Sequence, residues 1–344
     1  MDFQRLQQFL QDTGQPAYRF SQIVSDLVMN QTQRYDDIFT IPKSLREELV
    51  KAVPILSVKP IAVQISKNKD TYKALLELND GKQIETVLMH PTSELWSVCL
   101  SCQVGCAMTC AFCATGKMGL TRNLRAEEIC DQVLFWKHYL AQHKLSHRIS
   151  NLVFMGMGEP FANWENVSAS IIWLTDPKLY GFGQRHISVS TSGLVPGIKQ
   201  FADTFSQVNL AISLHAPNDT LRSQLMPINK RYALAELISA MKYYLAKTNR
   251  QIFIEYLLLH EVNDSDKQAV ELGNLLTDQF GDSKHLIHVN LIVYNQTDTD
   301  FKPATKDQAE HFAAILKEFR ISASIRKSLG TDIAGACGQL SAKN

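Results

Sequence analysis

From Trp96 onward, the chain alternates short apolar runs with longer amphipathic helical patterns, and this alternation restricts the fold more than any other feature. We interpret the apolar runs as strands over residues 97–102, 150–155, 186–190, 208–214, 252–259 and 288–294, with 322–326 as a seventh candidate. The helical patterns between them include residues 127–140, 233–246, 267–276 and 305–319. Repeated βα units predict a parallel sheet curved into a full or partial barrel, with the chemistry at the C-terminal ends of its strands.

Two smaller segments precede this barrel. Apolar residues at helical spacing, interrupted by prolines, predict a helical domain over residues 1–55. The sequence Asn79-Asp80-Gly81-Lys82 separates two β-rich runs, and Asp-Gly is typical of a tight hairpin turn. We therefore expect a β-hairpin extension over residues 56–95 and an α/β core, a partial (βα)6-type barrel, over residues 96–344.

The composition argues against a protein that is basic overall and against a secreted or membrane-spanning protein. The 35 Lys and Arg residues nearly balance 34 Asp and Glu, a formal net charge of +1, so any contact with nucleic acid has to come from local basic patches. The first ten residues are charged where a secretory signal would be apolar, and we find no run of about 18 apolar residues that could cross a bilayer. We expect a cytoplasmic protein without membrane contact.

Local basic patches are present in two places. Residues 99–150 contain six basic residues, Lys117, Arg122, Arg125, Lys137, Lys144 and Arg148, against three acidic ones. A second group consists of Lys317, Arg320, Arg326 and Lys327. We expect these groups to supply phosphate contacts, although charged runs are more often simply solvated.

Five of the seven cysteines lie between residues 99 and 113. In a reducing compartment such a cluster indicates metal binding or redox chemistry rather than disulfides. Cys106, Cys110 and Cys113 form a C-x3-C-x2-C run, and three thiolates can hold a [4Fe–4S] cluster that keeps one iron open. A structural zinc site needs four ligands, so it remains an alternative only if Cys99 or Cys102 supplies the fourth. The spacing favours an iron–sulfur cluster.

This cysteine run, with an aromatic residue before its last cysteine, resembles the radical S-adenosylmethionine (SAM) superfamily. Six further motifs, in order along the chain, resemble the RlmN/Cfr family of RNA adenine methyltransferases. They are QVGC (103–106), CATGKMGLTRNL (113–124), MGMGEP (155–160), STSG (190–193), SLHAPN (213–218) and ACGQL (336–340). Three positions depart from the family pattern, namely Cys102, Gln296 and the pair Ala334-Gly335, and they put the choice of target in doubt rather than the reaction.

The resemblance implies two cofactors and their ligands. A [4Fe–4S] cluster on Cys106, Cys110 and Cys113 would bind SAM through its open iron, and two SAM molecules would be used per turnover. The positions that match the family's SAM contacts are Gly158, Glu159, Ser190, Ser213, Leu214, His215 and Asn295. Without the motif, a single histidine such as His215 would more often be a core residue with its hydrogen bonds satisfied.

The resemblance also implies a reaction with a protein-bound intermediate. The first SAM methylates Cys337, and the second yields a 5′-deoxyadenosyl radical that removes a hydrogen from the S-methyl group. The resulting methylene radical adds to the adenine ring, Glu85 accepts the ring proton, and Cys99 releases the product through a transient disulfide with Cys337. Outside the family, Cys99 and Cys337 could be buried core residues and Glu85 an exposed strand residue. Cys102 and Cys130 are expected to be structural.

The expected substrate is C2 of an adenine in 23S rRNA and in some tRNAs, in a loop or bulge where the base can be unstacked. The resemblance leaves C8 methylation as an alternative, and Glu159-Pro160 together with residues 117–119 favours C2. A non-catalytic iron–sulfur protein that binds RNA or senses redox state is the alternative from another class. An electron donor of the flavodoxin or ferredoxin type and a monomeric enzyme are further expectations.

Overall fold

The computed structural model of the protein describes residues 1–92, 95–145 and 148–342. Its strands are β1 Val58–Ile65, β2 Thr71–Leu78, β3 Gln83–Thr92, β4 Leu95–Cys99, β5 Gln103–Gly105, β6 Leu120–Asn123, β7 Arg148–Phe154, β8 Ile187–Thr191, β9 Asn209–Ser213, β10 Ile252–Leu258, β11 Ile287–Val293 and β12 Ser322–Arg326. Its α-helices are α1 Phe3–Asp12, α2 Tyr18–Val24, α3 Lys43–Ala52, α4 Ala114–Lys117, α5 Ala126–Gln142, α6 Trp164–Thr175, α7 Val195–Thr204, α8 Asp219–Leu225, α9 Leu234–Thr248, α10 Asp266–Phe280 and α11 Lys306–Glu318.

Within these ranges, ten strands form one sheet in the order β1-β2-β3-β4-β7-β8-β9-β10-β11-β12. The pairs from β4 to β12 are all parallel, and each strand lies beside the next one of the series because a helical crossover connects them. The expected α/β barrel sheet is therefore confirmed, as an open series whose seventh parallel strand is β12.

The predicted hairpin is present but belongs to a larger antiparallel unit. β2 and β3 pair through the turn at Asp80-Gly81, where Gly81 adopts a φ of 77°. The sequence interpretation omitted β1, an edge strand that is exposed along most of its length and shifts its register near Pro60. β3 also pairs directly with β4, so the extension is continuous with the barrel sheet.

The core runs without interruption from the N-terminal helices into the barrel. Leu6, Ile23 and Leu27 are fully buried and belong to the same apolar cluster as the barrel strands. The Phe3 ring packs edge-on against Trp173 of α6, with 5.0 Å between ring centroids. None of the described helices is long and apolar enough to span a membrane.

Candidate active site

The C-terminal ends of the parallel strands surround a cavity of about 300 Å³. Inward-facing residues of the strands line its wall, namely Cys99, Val153, Ser190, Ser213, Glu255, Ile292 and Arg326. The C-terminal segment 335–340 contributes another part of the wall, including Cys337. Catalytic groups are expected at this end of a βα barrel, because loops and strand ends converge there.

The three cysteines of the C-x3-C-x2-C run all line this cavity. Their loop is fixed by backbone hydrogen bonds, from Cys106 N–H to Gly119 O at 2.9 Å and from Cys113 N–H to Cys110 O at 3.1 Å. Burial raises the pKa of the Cys106 thiol to about 12 and raises the pKa of Cys110 as well. Buried thiolates of this kind become favourable when they coordinate a metal, so the sulfur donors fit an iron–sulfur cluster.

The described residues contain no group of three or more His, Cys, Asp and Glu side chains spaced to hold a single metal ion. The cysteine loop is shaped by its neighbours on both sides. Ala111 N–H donates to Leu225 O at 2.9 Å, and the Phe112 ring meets His215 edge-on at 4.9 Å between centroids. The helix α8 and the strand end after β9 therefore hold the loop over the cavity.

Gly158 and Glu159 follow β7, as expected for a turn at a strand end. Gly158 has a φ of +104°, and a Cβ atom there would lie 2.5 Å from Gln103 Cβ. Both the backbone conformation and the lack of space for a side chain therefore require glycine at this position. The Glu159 carboxylate is buried and accepts hydrogen bonds from Ser192 N–H and Oγ, both at 2.8 Å, and from Phe161 N–H at 3.1 Å. Burial raises the pKa of this carboxyl. Three of its acceptor positions are used within the protein, which leaves little capacity for a ligand's ammonium group.

The other predicted SAM-contacting residues divide into two groups. Ser190, Ser213 and Asn295 line the cavity, and Asn295 Nδ2 also donates to Cys337 O at 3.2 Å. Leu214 is buried and lies behind the wall, where its N–H donates to Glu255 O at 3.0 Å. A cofactor in the cavity could reach the first group through side chains, whereas Leu214 does not line the cavity and its N–H is already bonded within the sheet.

His215 lines the cavity and also has the surroundings of a core histidine. Its backbone is left-handed with a φ of 57°, and its Nδ1 accepts a hydrogen bond from Leu257 N–H at 2.9 Å. Burial lowers its pKa to about 3, so the ring is neutral at physiological pH. The His215 side chain therefore connects the end of β9 to β10 through this hydrogen bond.

Cys99 and Cys337 lie on the same cavity, one at the end of β4 and the other on the C-terminal segment. Cys337 is exposed through the cavity mouth, and both cysteines are free thiols. The surrounding protein, and then the charge of Glu255, raise the pKa of Cys337 to about 11. Burial, and then the proximity of Cys337, raise the pKa of Cys99 to about 12. The fold thus brings together two thiols that are 238 residues apart in the sequence.

Glu85, the predicted proton acceptor, lies neither on the cavity wall nor on an exposed face of its strand. It is only 2% exposed on β3, so it is not a solvated strand glutamate, and it does not line the cavity. Its Oε1 forms an ion pair with Lys73 Nζ at 2.8 Å. Its Oε2 accepts hydrogen bonds from Ser341 N–H at 2.8 Å and Ala342 N–H at 3.1 Å. The C-terminal segment therefore covers this carboxylate.

Several residues of the first basic patch are used inside the protein. Arg122 pairs with Asp80 at 2.6 Å and with Glu128 at 2.8 Å. Lys137 donates to Val28 O at 3.2 Å, and burial lowers its pKa to about 8. These two side chains have partners that RNA phosphates would have to displace, which weakens the expected phosphate role. Arg326 and Lys327 of the second patch do line the cavity.

The sequence interpretation missed two buried charged residues at this site. Arg222 of α8 is fully buried and donates to the carbonyls of Ser192 at 2.7 Å and Ser213 at 3.1 Å, which ties two strand ends together. Glu255 is the one charged residue in the apolar run of β10. Because a parallel strand is covered on both faces, a charged side chain within it is buried from solvent. A single glutamate in an otherwise apolar strand could therefore have been recognised from the sequence as a candidate site residue. Cys102 and Cys130, which are expected to be structural, are both buried.

Comparison with known proteins agrees with this site. Residues 100–273 match the Radical SAM superfamily. The chain is 42% identical over 344 residues to the "Probable dual-specificity RNA methyltransferase RlmN" of Chloroflexus aurantiacus, covering 98% of this chain and 91% of that protein. It is 41% identical over 343 residues to the "Ribosomal RNA large subunit methyltransferase Cfr" of Clostridium botulinum, covering 99% and 97%.

A solved structure agrees as well. The crystal structure of a radical SAM methyltransferase from Sphaerobacter thermophilus matches with a TM-score of 0.92 and 42% identity, over 100% of this chain and 98% of that one. The agreement in fold covers the N-terminal helices, the antiparallel extension and the barrel. This chain belongs to the RlmN/Cfr family of radical SAM RNA methyltransferases.

Proposed function

We propose that the enzyme methylates C2 of an adenine in 23S rRNA and in some tRNAs, with Cys337 as the methyl carrier and two SAM molecules per turnover. The observation that carries this proposal is the meeting of Cys99, Cys337 and the three cysteines of the C-x3-C-x2-C run at one cavity. A cluster on Cys106, Cys110 and Cys113, when bound, supplies the electron that cleaves SAM. An electron donor of the flavodoxin or ferredoxin type and a monomeric enzyme belong to the same proposal.

The other two cysteines at this cavity, Cys99 and Cys337, have complementary roles in the proposed reaction. Cys337 lies on a segment whose backbone is held by Asn295 Nδ2, so its sulfur is presented to the cavity. Cys99 lines the same cavity from the end of β4, and in the proposed reaction its sulfur, once deprotonated, attacks the Cys337 sulfur. That attack forms the S–S bond and breaks the bond between Cys337 sulfur and the carbon attached to the base. The electron pair stays on that carbon, which takes up a proton to become the methyl group, and the RNA is released.

Glu85 is the proposed acceptor of the adenine ring proton, and its surroundings add a condition. Its two oxygens are held by Lys73 and by the N–H groups of Ser341 and Ala342. For Glu85 to reach a base in the cavity, the bonds from Ser341 and Ala342 have to open. The ion pair with Lys73 can persist and orient the carboxylate while this happens.

The proposal that the enzyme methylates C2 rather than C8 is based on a sequence feature. Pro160 follows Glu159 and begins the 3-10 turn Pro160–Asn163, in which its side chain is buried. Family members that act on C8 tend to lack this proline. The similarity to RlmN at 42% and to Cfr at 41% does not separate the two positions, so the product has to be identified chemically.

The test uses anaerobically reconstituted enzyme, a reductant, SAM with a deuterated methyl group, and 23S RNA that lacks the modification. Nucleoside mass spectrometry then compares the product with authentic 2-methyladenosine and 8-methyladenosine. We expect labelled 2-methyladenosine from the wild type and none from Cys337→Ala. Cys102→Ser is the matched control, because Cys102 is buried beside the site and the family usually has serine there.

Three outcomes would contradict parts of the proposal. Labelled 8-methyladenosine would move the enzyme to the C8 activity. Undiminished product from Cys337→Ala would exclude the methyl-carrier role. No labelled nucleoside from a protein with an intact cluster would favour the non-catalytic alternative.

A further inference from the structure

Ser101 is a buried serine that bonds two parts of the site, and the proposed function leaves it without a role. Its hydroxyl donates to Glu85 O at 2.5 Å and accepts from Met157 N–H at 2.9 Å. Glu85 N–H in turn donates to Met157 Sδ at 3.2 Å. Ser101 and Met157 are both fully buried. The main chain at the proposed base is therefore bonded to the turn that precedes Glu159.

These bonds lie where the pairing of β3 with β4 ends. The two strands pair antiparallel, with Val87 opposite Cys99. Two residues further on, the same register would place Ser101 opposite Glu85, but β4 ends at Cys99. A hydroxyl and a thioether therefore bind the two main-chain groups of Glu85 that a longer strand would have bound. The position of Glu85 depends at this point on two side chains.

Ser101 is itself held by a helix and by the turn after β7. The Gln132 side chain of α5 accepts from Ser101 N–H at 2.9 Å and donates to Ser101 O at 2.8 Å. The turn approaches closely, because a Cβ atom at Gly156 would lie 2.8 Å from Ser101 Oγ. Met157 O also accepts from Cys102 N–H at 2.8 Å. One residue thus links the helix, the turn and the strand that carries the proposed base.

The bonds of Ser101 differ from those of the C-terminal segment in what the reaction asks of them. The segment's bonds to Glu85 Oε2 have to open before an RNA base can reach that oxygen. The ion pair with Lys73 and the main-chain bonds to Ser101 and Met157 can persist. Lys73 holds one carboxylate oxygen, whereas Ser101 and Met157 hold the strand itself. They therefore set where the carboxylate lies once the segment has moved.

We propose that Ser101 is a positioning residue for Glu85. Its hydroxyl, together with Met157 Sδ, fixes the main chain at Glu85 relative to the turn of Glu159. This inference depends on the proposed function, in which Glu85 accepts the ring proton. A displacement of about 1 Å at a reacting group can cost about 10²-fold in rate. Loss of either bond should therefore slow the one step that uses Glu85.

The proposed reaction makes that step separately observable. The adenine stays joined to Cys337 through the methylene carbon until Glu85 has taken the ring proton and Cys99 has attacked the sulfur. Slow proton removal should therefore make the adduct of RNA and protein accumulate. Methylation of Cys337 comes earlier and does not use Glu85, so it should continue at the normal rate. A variant that merely folds less well would form less adduct, not more.

The test is a single turnover with cluster-loaded enzyme, SAM, a reductant and unmodified 23S RNA. Denaturing gels measure the adduct, and nucleoside mass spectrometry measures the released product. We expect Ser101→Ala to release product about 10²-fold more slowly and to accumulate adduct. Ser170→Ala is the matched control, because Ser170 is also fully buried and donates to a main-chain oxygen, Val167 O, at 2.8 Å. It should release product at the wild-type rate.

Met157→Leu tests the same inference without removing the hydroxyl. Leucine keeps roughly the volume of methionine, so this variant should fold even if Ser101→Ala does not. It removes the acceptor of Glu85 N–H and should also accumulate adduct. Hydrogen exchange on the cluster-free protein checks the lost bonds without any turnover. The Glu85 amide should exchange about tenfold faster in Met157→Leu, and the Met157 amide about tenfold faster in Ser101→Ala.

Glu85→Gln is the reference that separates two kinds of failure. If Glu85→Gln accumulates adduct while Ser101→Ala and Met157→Leu release product at the wild-type rate, Ser101 does not position the base. Equal loss of Cys337 methylation and of product release in both variants would mean a general structural role and would overturn the inference as well. If Glu85→Gln itself releases product normally, the proposed role of Glu85 fails, which is a different result.

Discussion

Replacing Gly158 with alanine tests whether the turn after β7 shapes the site through its backbone. Two costs can be read from the structure. A φ of +104° lies outside the regions that residues with a Cβ atom prefer, which typically costs about 1–2 kcal/mol. The added Cβ would also lie 2.5 Å from Gln103 Cβ and 2.7 Å from Gln103 Cγ, well inside ordinary carbon contact distances.

Overpacking of this kind typically costs about 1–3 kcal/mol, so the two effects together amount to about 2–5 kcal/mol. Gly181→Ala is a matched control: its φ is +69°, and its new Cβ would meet no atom within 4 Å. We expect Gly181→Ala to lose only the conformational part, about 1–2 kcal/mol. The difference between the two variants isolates the contact with Gln103.

The assay is urea unfolding of the cluster-free protein, combined with calorimetric titration of S-adenosylhomocysteine into the folded state. Movement of Gln103 would also disturb the 2.8 Å hydrogen bond from Glu159 N–H to Gln103 Oε1. We therefore expect Gly158→Ala to bind the ligand at least tenfold more weakly and Gly181→Ala to bind it normally. Equal stability and equal affinity in the two variants would refute the argument that close approach fixes this turn.

Three further predictions concern buried charge and the cysteine loop. Lys73→Met should destabilise the protein by about 3–5 kcal/mol at neutral pH, because the buried Glu85 carboxylate loses its cation; a loss below 1 kcal/mol in urea unfolding would contradict this. Burial lowers the pKa of His138 to about 4, so as the pH falls from 7 to 5 the unfolded state binds a proton that the folded state does not. The wild type should lose about 2 kcal/mol through this group, and His138→Gln should lack that share of the pH dependence. Cys110→Ala should reduce iron and sulfide to background after reconstitution, whereas Cys130→Ala should keep both.

The barrel could be predicted from the sequence because apolar runs and helical periodicity persist for more than 200 residues. The predicted strands agree with β4 and β7 to β12 apart from their ends. The edge strand β1 was missed for a physical reason, since most of its side chains are exposed and Pro60 disturbs its register. Such a strand is held by its partner rather than by a buried face of its own.

The site was predictable to the extent that it depends on motifs. The cysteine run, Gly158 and the pair Cys99 and Cys337 do converge on one cavity. Charged residues inside apolar segments were not predicted, because a sequence does not show which way a side chain points. Glu255 belongs to this class, and Arg222 of the mostly polar helix α8 is buried for the same unseen reason; both are held by contacts with residues distant in sequence.

The C-terminal segment connects the parts of the site that would otherwise be independent. Gly338 O accepts from Ala114 N–H next to the cysteine run, and Leu340 O accepts from Thr115 Oγ1 at 2.6 Å. Immediately after Leu340, Ser341 and Ala342 of the same segment donate their N–H groups to Glu85. Cys337 lies in the same segment, and the anchors at Gly338 and Leu340 stand between it and the two residues that bind Glu85. In the proposed reaction, proton removal from the base needs Glu85 free of its bonds to Ser341 and Ala342. We therefore expect the RNA base to meet Glu85 only after the end of this segment has moved.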